Sequence, residues 1–254
     1  MKLRSLGCAG GIGGELRTTS FLIDDDILID AGTGLGELGL DELQKVDHVF
    51  ITHAHLDHIA CLPIMVDSVA RQRDKPLTIY ATEAVIATLK GHIFNWAIWP
   101  DFTQIPDPHK PFMRYQPITE GIPVMLDGRS IMAIHAEHVV PGVGYHLDSG
   151  KGSLVFSGDT TSFDAFWDYL NSIKNLRFLL IETAFQEKEK EIAIVSKHMY
   201  PSLLAAGLTK LTRPADVFVT HLKPGDEVAI MREIGHLVEG EIPLALPNNH
   251  ILEF

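Results

Sequence analysis

The amino-acid sequence predicts an α/β fold, and two observations carry the prediction. Short apolar, β-branched runs such as Val49-Phe50-Ile51 and Val217-Phe218-Val219 recur along the chain, separated by segments with helical spacing. A dense group of histidines directly follows the first of these runs, at a strand-to-helix turn, which is where α/β folds place their sites. With 254 residues and a 46% hydrophobic share, the chain can bury a large core and is expected to form one domain, residues 1–254.

The elements follow in order. Residues 2–6 read as a strand leading into the glycine-rich stretch 7–14. Residues 20–24 and 27–30 flank an acidic turn and read as a hairpin. Helical spacing covers 35–45, a strand covers 48–51, and helical spacing returns over 59–72. A strand at 77–81 and a helix at 82–90 come next. Residues 99–117 are rich in proline and show little periodicity, which predicts a long loop. Strands come in close succession between 123 and 156. A helix at 162–172, a strand at 178–182, a helix at 200–211, a strand at 216–220 and a helix at 227–238 complete the chain.

Composition excludes several classes. A net charge of −12 argues against long polyanionic partners, which need a basic face to displace counterions, but leaves a small anionic substrate open. The two cysteines, Cys8 and Cys61, cannot build a disulfide framework, so reduced thiols and a cytoplasmic location are expected. No apolar stretch approaches the roughly 18 residues of a membrane span.

Thr52-His53-Ala54-His55-Leu56-Asp57-His58 carries the chemistry. Imidazole is the commonest ligand for borderline divalent metals, and carboxylate completes such sets. His53 and His55, two apart, can chelate one ion. Asp57 and His58 point elsewhere and suit a second. A pair of ions roughly 3.5–4 Å apart clamps the attacking and leaving oxygens of a displacement and makes a nucleophile from water at neutral pH.

This motif resembles the HxHxDH signature of the metallo-β-lactamase superfamily, and the resemblance covers essentially the whole chain. It implies a four-layer αββα sandwich and three further ligands in a set order. His138 before Val139-Val140-Pro141-Gly142, Asp159 after Leu154-Val155-Phe156-Ser157-Gly158, and His221 after Val217-Phe218-Val219-Thr220 fit that order. The implied centre places one metal on His53, His55 and His138 and a second on Asp57, His58 and His221, with Asp159 bridging. Zinc is expected first, with manganese or iron as alternatives. His135, a rival for His138, falls on the opposite face by strand alternation. His48, His92, His109, His146, His236 and His250 are given no metal role.

A narrower resemblance is to the class II 3′,5′-cyclic-nucleotide phosphodiesterases, in His92-Ile93-Phe94-Asn95-Trp96-Ala97-Ile98-Trp99-Pro100, Ser196-Lys197-His198 and Thr220-His221-Leu222-Lys223-Pro224. Cys61 and Pro63 depart from that family's usual residues. The resemblance implies that His198 contacts the phosphate and protonates the leaving alkoxide, a step worth about 10²–10⁴-fold, alongside Asp57 and Asp159 as the other catalytic residues. Phe94, Trp96, Trp99 and Phe102 are expected either to wall a nucleobase or to form a subunit interface, and a homodimer is expected. Gly10-Gly11 and Gly13-Gly14 read as a flexible turn rather than a phosphate cradle. Glu182-Thr183, at the end of a strand, is either a pair that orients a ligating histidine or a plain strand-end turn. The implied activity is hydrolysis of a cyclic nucleotide such as cyclic AMP or cyclic GMP to the 5′-nucleotide. A tRNA 3′-end endonuclease and a lactone or thioester hydrolase of the same superfamily are the alternatives.

Overall fold

A computed structural model describes all of residues 1–254. The first half forms strands β1 (Lys2–Gly7), β2 (Ser20–Ile23), β3 (Ile27–Ile29), β4 (His48–Phe50), β5 (Leu77–Ala81) and β6 (Met113–Pro117). The second half forms β7 (Pro123–Leu126), β8 (Arg129–His135), β9 (Val143–Asp148), β10 (Ser153–Phe156), β11 (Leu176–Glu182), β12 (Asp216–Thr220) and β13 (Leu244–Ala245). The last strand, β14 (Ile251–Glu253), returns to pair with β1. The longer helices are α1 (Leu62–Val69), α2 (Glu83–Thr88), α3 (Asp164–Ser172), α4 (Lys190–Ser196), α5 (Pro201–Leu208) and α6 (Glu227–Leu237).

The two sheets run β14-β1-β2-β3-β4-β5-β6 and β13-β12-β11-β10-β9-β8-β7. Each has antiparallel pairings in one part and parallel pairings in the other. Period-two alternation then explains the layers. Phe21 and Ile23 of β2 and Ile27 and Ile29 of β3 pack against Tyr145, Leu154, Phe156 and Leu180 of the other sheet. Leu22, Leu28, Val49 and Ile79 face outward onto Leu62, Met65 and Val66 of α1 and Val85 and Ile86 of α2. On the far side Val155, Leu179, Ile181 and Val219 are covered by Phe166, Trp167 and Leu170 of α3, Leu204 of α5 and Ile230 and Ile234 of α6. These strands are apolar on both faces because helices cover the side that the other sheet does not. The result is the expected αββα sandwich. No helix is long and apolar enough to cross a membrane.

Several boundaries differ from the sequence expectation. The predicted helix at 35–45 is a 3-10 turn, Thr33–Glu37, and a single helical turn, Leu40–Leu43, divided at Gly39, whose amide is capped by Glu42 Oε2 at 3.0 Å. The helix over 59–72 begins as the turn Leu56–Ile59 and breaks before α1. The proline-rich loop is shorter than expected, because Met113–Pro117 pairs in parallel with β5. Helix α4 was not anticipated: Ile194-Val195 is β-branched, which lowers helix propensity.

Packing is tight where α5 meets α3. A Cβ on Gly207 would lie 2.1 Å from Trp167 Cζ2 of a fully buried indole. Gly207→Ala should therefore lower stability by about 1–3 kcal/mol, the usual cost of overpacking. Gly91→Ala, where a Cβ meets nothing within 4 Å, should leave it unchanged or slightly raised. Urea midpoints of the two variants against the parent check the contrast.

Candidate metal centre

Strands β4, β8, β10, β11 and β12 all deliver side chains from their carboxyl ends to one rim of the sandwich. The turn after β4 supplies His53, His55, Asp57 and His58, the segment after β8 supplies His138, and the loops after β10 and β12 supply Asp159 and His221. Two backbone features aim the last two. Gly158 has φ +62°, and a Cβ there would lie 2.6 Å from the Val143 carbonyl, so only glycine fits the turn that presents Asp159. His221 itself has φ 61°, a conformation that L-residues adopt at a cost and that its amide bond to the Cys8 carbonyl, at 2.6 Å, helps to hold.

All seven expected ligands come together. One donor atom each from His53, His55, His138 and Asp159 lies within 4.8 Å of the others, and the same holds for Asp57, His58, Asp159 and His221. Asp159 belongs to both groups. Its Oδ2 lies 3.4 Å from His58 Nε2, 3.4 Å from His221 Nε2 and 3.6 Å from His53 Nε2. His138 Nε2 is 3.3 Å from His55 Nδ1, and Asp57 Oδ2 is 3.8 Å from His221 Nε2. Most of the cluster is buried, while His55 and Asp57 are partly open to solvent.

The donors fit divalent cations on their own chemistry. His53 Nε2, His58 Nε2 and Asp159 Oδ1 are buried and have no hydrogen-bond partner. Burying polar atoms without partners is costly, so a set of them converging on one space marks a site for something that accepts lone pairs. Burial disfavours the imidazolium form and leaves three of the rings as neutral donors: His53 lies well below its ordinary pKa, His138 falls to about 4 and His221 to about 3. Asp159 behaves oppositely. Burial opposes its charge, but the neighbouring His221 and His58 rings outweigh burial and hold the carboxyl well below the usual range. His58 is also buried, and the Asp159 and Asp30 charges outweigh that and raise it well above the ordinary value. A cation among these atoms takes the place that a proton would otherwise fill.

Two buried carboxylates orient the rings. Asp30, at φ 58° after β3, accepts from His58 Nδ1 at 2.7 Å, from the Thr52 amide at 2.8 Å and from Thr52 Oγ1 at 2.8 Å, and Thr52 Oγ1 is 3.0 Å from His53 Nδ1. A proton on His58 Nδ1 fixes the tautomer whose Nε2 lone pair faces the cluster. In the sequence Asp30 closes a hairpin strand, and nothing there marks its role. Glu182 accepts from His198 Nδ1 at 2.7 Å, the Thr160 amide at 3.0 Å and the Met199 amide at 3.2 Å. It therefore holds His198 and the turn after Asp159, not a ligating histidine as expected. Thr183 Oγ1 donates locally to the Glu182 carbonyl.

His198 is buried, and its ring stacks on His221 at 5.2 Å and meets His138 edge-on at 4.9 Å. The backbone turn at Lys197, φ 54°, ends α4 and turns His198 inward. Burial disfavours its charge, but the charge and hydrogen bond of Glu182 outweigh that and raise its pKa. His135 pairs with Glu120 at 3.3 Å, away from the cluster, and His48 and His146 hydrogen-bond tyrosine hydroxyls. The aromatic segment does not form one surface. Phe94 and Phe102 are core residues in edge contact at 6.4 Å, Trp99 is partly buried beside them, and Trp96 alone is exposed. Gly10 packs on the His221 loop, its amide donating to the Leu222 carbonyl at 2.9 Å, so this turn is held in place.

A family described as beta-lactamase superfamily domain matches residues 25–222. The chain belongs to the metallo-β-lactamase superfamily of hydrolases. The probable metallo-hydrolase YhfI of Bacillus subtilis is 26% identical over 96% of this chain and 97% of its own. The probable 3′,5′-cyclic-nucleotide phosphodiesterase of Yersinia pestis is 42% identical over 60 residues, which is 24% of this chain and only 16% of that protein. Ribonuclease Z of Archaeoglobus fulgidus is 24% identical over 58% of this chain and 47% of that one. Among solved structures, unliganded yeast PDE1 superposes with a TM-score of 0.81 at 20% identity, over 100% of this chain and 99% of that one, a likeness of fold.

Metal-replete protein should carry two ions per chain by elemental analysis, and Asp159→Ala should retain one or fewer. Asp30 belongs to neither group of candidate ligands, and Asp30→Asn leaves both groups intact. It should still weaken metal affinity by about 10–100-fold in a chelator competition, because the carboxylate charge is lost and one of the two oxygens that hold Thr52 and His58 becomes an amide donor.

Proposed function

We propose that this hydrolase is a two-metal phosphodiesterase that converts 3′,5′-cyclic nucleotides to 5′-nucleotides. The observation that carries the reading is His198, a buried imidazole held by Glu182 at the edge of the metal-ligand cluster and assigned to neither group of ligands. Its Nδ1 is engaged by the carboxylate, which leaves Nε2 for the substrate. A sugar alkoxide is a poor leaving group and needs a proton as the P–O bond breaks. A histidine with a raised pKa beside the centre is suited to deliver it. A lactone or thioester hydrolase has no comparable need for such a group.

In the proposed centre His53, His55, His138 and Asp159 hold one divalent ion, and Asp57, His58, Asp159 and His221 hold the second. Bound ions would supply Lewis acidity and a water of lowered pKa. Zinc suits the histidine-rich set, with manganese or iron next. Beside His138 a groove of about 630 Å³, lined in part by Thr82, Glu120, His135, Val140 and Lys197, offers room for a nucleoside. The similarity to ribonuclease Z supports a second reading, cleavage of tRNA 3′ ends. The net charge of −12 favours the small substrate.

A panel of cyclic AMP, cyclic GMP and precursor tRNA separates the two. Cyclic-nucleotide hydrolysis should dominate and depend weakly on salt. Faster cutting of precursor tRNA at moderate salt, with a steep salt slope, would establish the second reading instead. His198→Ala should keep both ions and lower cyclic-nucleotide turnover by about 10²–10⁴-fold, with a much smaller loss for a phosphodiester that expels p-nitrophenolate. An equal loss on both would show that His198 is no proton donor. Glu182→Gln removes the charge that raises the His198 pKa, so the alkaline limb of the kcat–pH profile should move to lower pH.

A further inference from the structure

We propose that Lys223 receives an anionic oxygen of the substrate's phosphate on the His198–His221 side of the cluster, an inference that rests on the phosphodiesterase reading. Lys223 lies two residues beyond His221, in the loop that leaves β12. Its Nζ is 5.8 Å from the centre of the Phe185 ring, and Phe185 meets the His198 ring edge-on at 5.7 Å. His198 in turn stacks on His221. Lys223, Phe185, His198 and His221 therefore follow one another in sequence of contact, ending at the cluster.

The ammonium group is placed without being neutralised. It donates to the Gly10 carbonyl at 2.9 Å and has no carboxylate within ion-pair distance. An ammonium has three protons, so two remain for a ligand. Anchorage of the glycine-rich turn does not account for the residue. Gly10 is already bound to the same loop through its amide on the Leu222 carbonyl, and it packs so closely that a Cβ would lie 2.5 Å from the His221 carbonyl. A half-buried, unpaired cation beside a phosphodiester site is what a phosphate oxygen needs, because lysine binds phosphate as a point charge. In a chain with net charge −12 it also supplies a local attraction that the protein as a whole does not.

The test uses metal-loaded protein and the variant Lys223→Met, which keeps an unbranched side chain of similar length and removes the charge, with Lys223→Arg as the restoring variant. Inorganic phosphate binding is measured by calorimetry, and KM and kcat are measured on bis(p-nitrophenyl) phosphate. Lys223→Met should keep its metal content, bind phosphate about ten- to hundredfold more weakly, the worth of one charge-assisted hydrogen bond, and show a matching rise in KM. Its kcat should change by less than about threefold, and Lys223→Arg should recover most of the affinity. Unchanged phosphate binding in Lys223→Met, or lost metal with the fold intact, overturns the proposal. Should the methionine variant fail to fold, Lys223→Gln is read by the same criteria. A parent protein that cleaves no phosphodiester would sink the proposed function, and the calorimetric comparison would still decide Lys223.

Discussion

Asp159 sits buried among imidazoles, with one oxygen close to His53, His58 and His221 and the other without any partner. Desolvating a carboxylate and several ring nitrogens together is expensive, and much of the surrounding architecture bears on that cost. Asp30 and Thr52 fix His58 and His53 from behind, Gly158 turns Asp159 inward, and the amide of Thr160 ties its loop to Glu182. What remains is a set of outward-facing donors that protein atoms do not satisfy. Such a set of donors is suited to a divalent cation.

The site also depends on where the two sheets meet. In each sheet an antiparallel part and a parallel part lie side by side, so the carboxyl ends of β4, β8, β10, β11 and β12 converge on one rim. The contacts that bring them together are few and direct. Tyr145 Oη donates to the Ile51 carbonyl at 2.8 Å, and the Val143 amide donates to the Thr52 carbonyl at 3.1 Å, joining β9 to the residues just before His53. Gly142 lies close enough that a Cβ would be 3.1 Å from His53 Cβ. Placement of the motif relative to His138 and Asp159 is thus set by backbone contacts rather than by long side chains.

Much of this was legible in the sequence, for a physical reason. Metal-ligating side chain types keep their chemistry in the letters, so the seven residues that the structure brings together, His53, His55, Asp57, His58, His138, Asp159 and His221, could be named from spacing and a family resemblance. Strands buried on both faces, such as Leu176–Glu182, show up as apolar runs. Residues that act through others were harder. Asp30 looks like a hairpin aspartate until its three hydrogen bonds are seen, and Glu182 could be named but its partner could not. Phe94, Trp96, Trp99 and Phe102 have one composition and several fates, because burial is decided by tertiary packing and not by residue type. Lys223 was part of a recognised motif, but nothing in the letters showed that it lacks an acidic partner.

The ligands divide between the halves of the chain: His53, His55, Asp57 and His58 come from the first sheet, and His138, Asp159 and His221 from the second. Each candidate ion is therefore a cross-link between two layers, and its occupancy is thermodynamically linked to their docking. Every tenfold of metal affinity that the separated layers lack adds about 1.4 kcal/mol to the cohesion of the sandwich. The seam of the fold and the candidate metal centre are one place, so metal bound there would hold the two layers together as well as serve the site's chemistry.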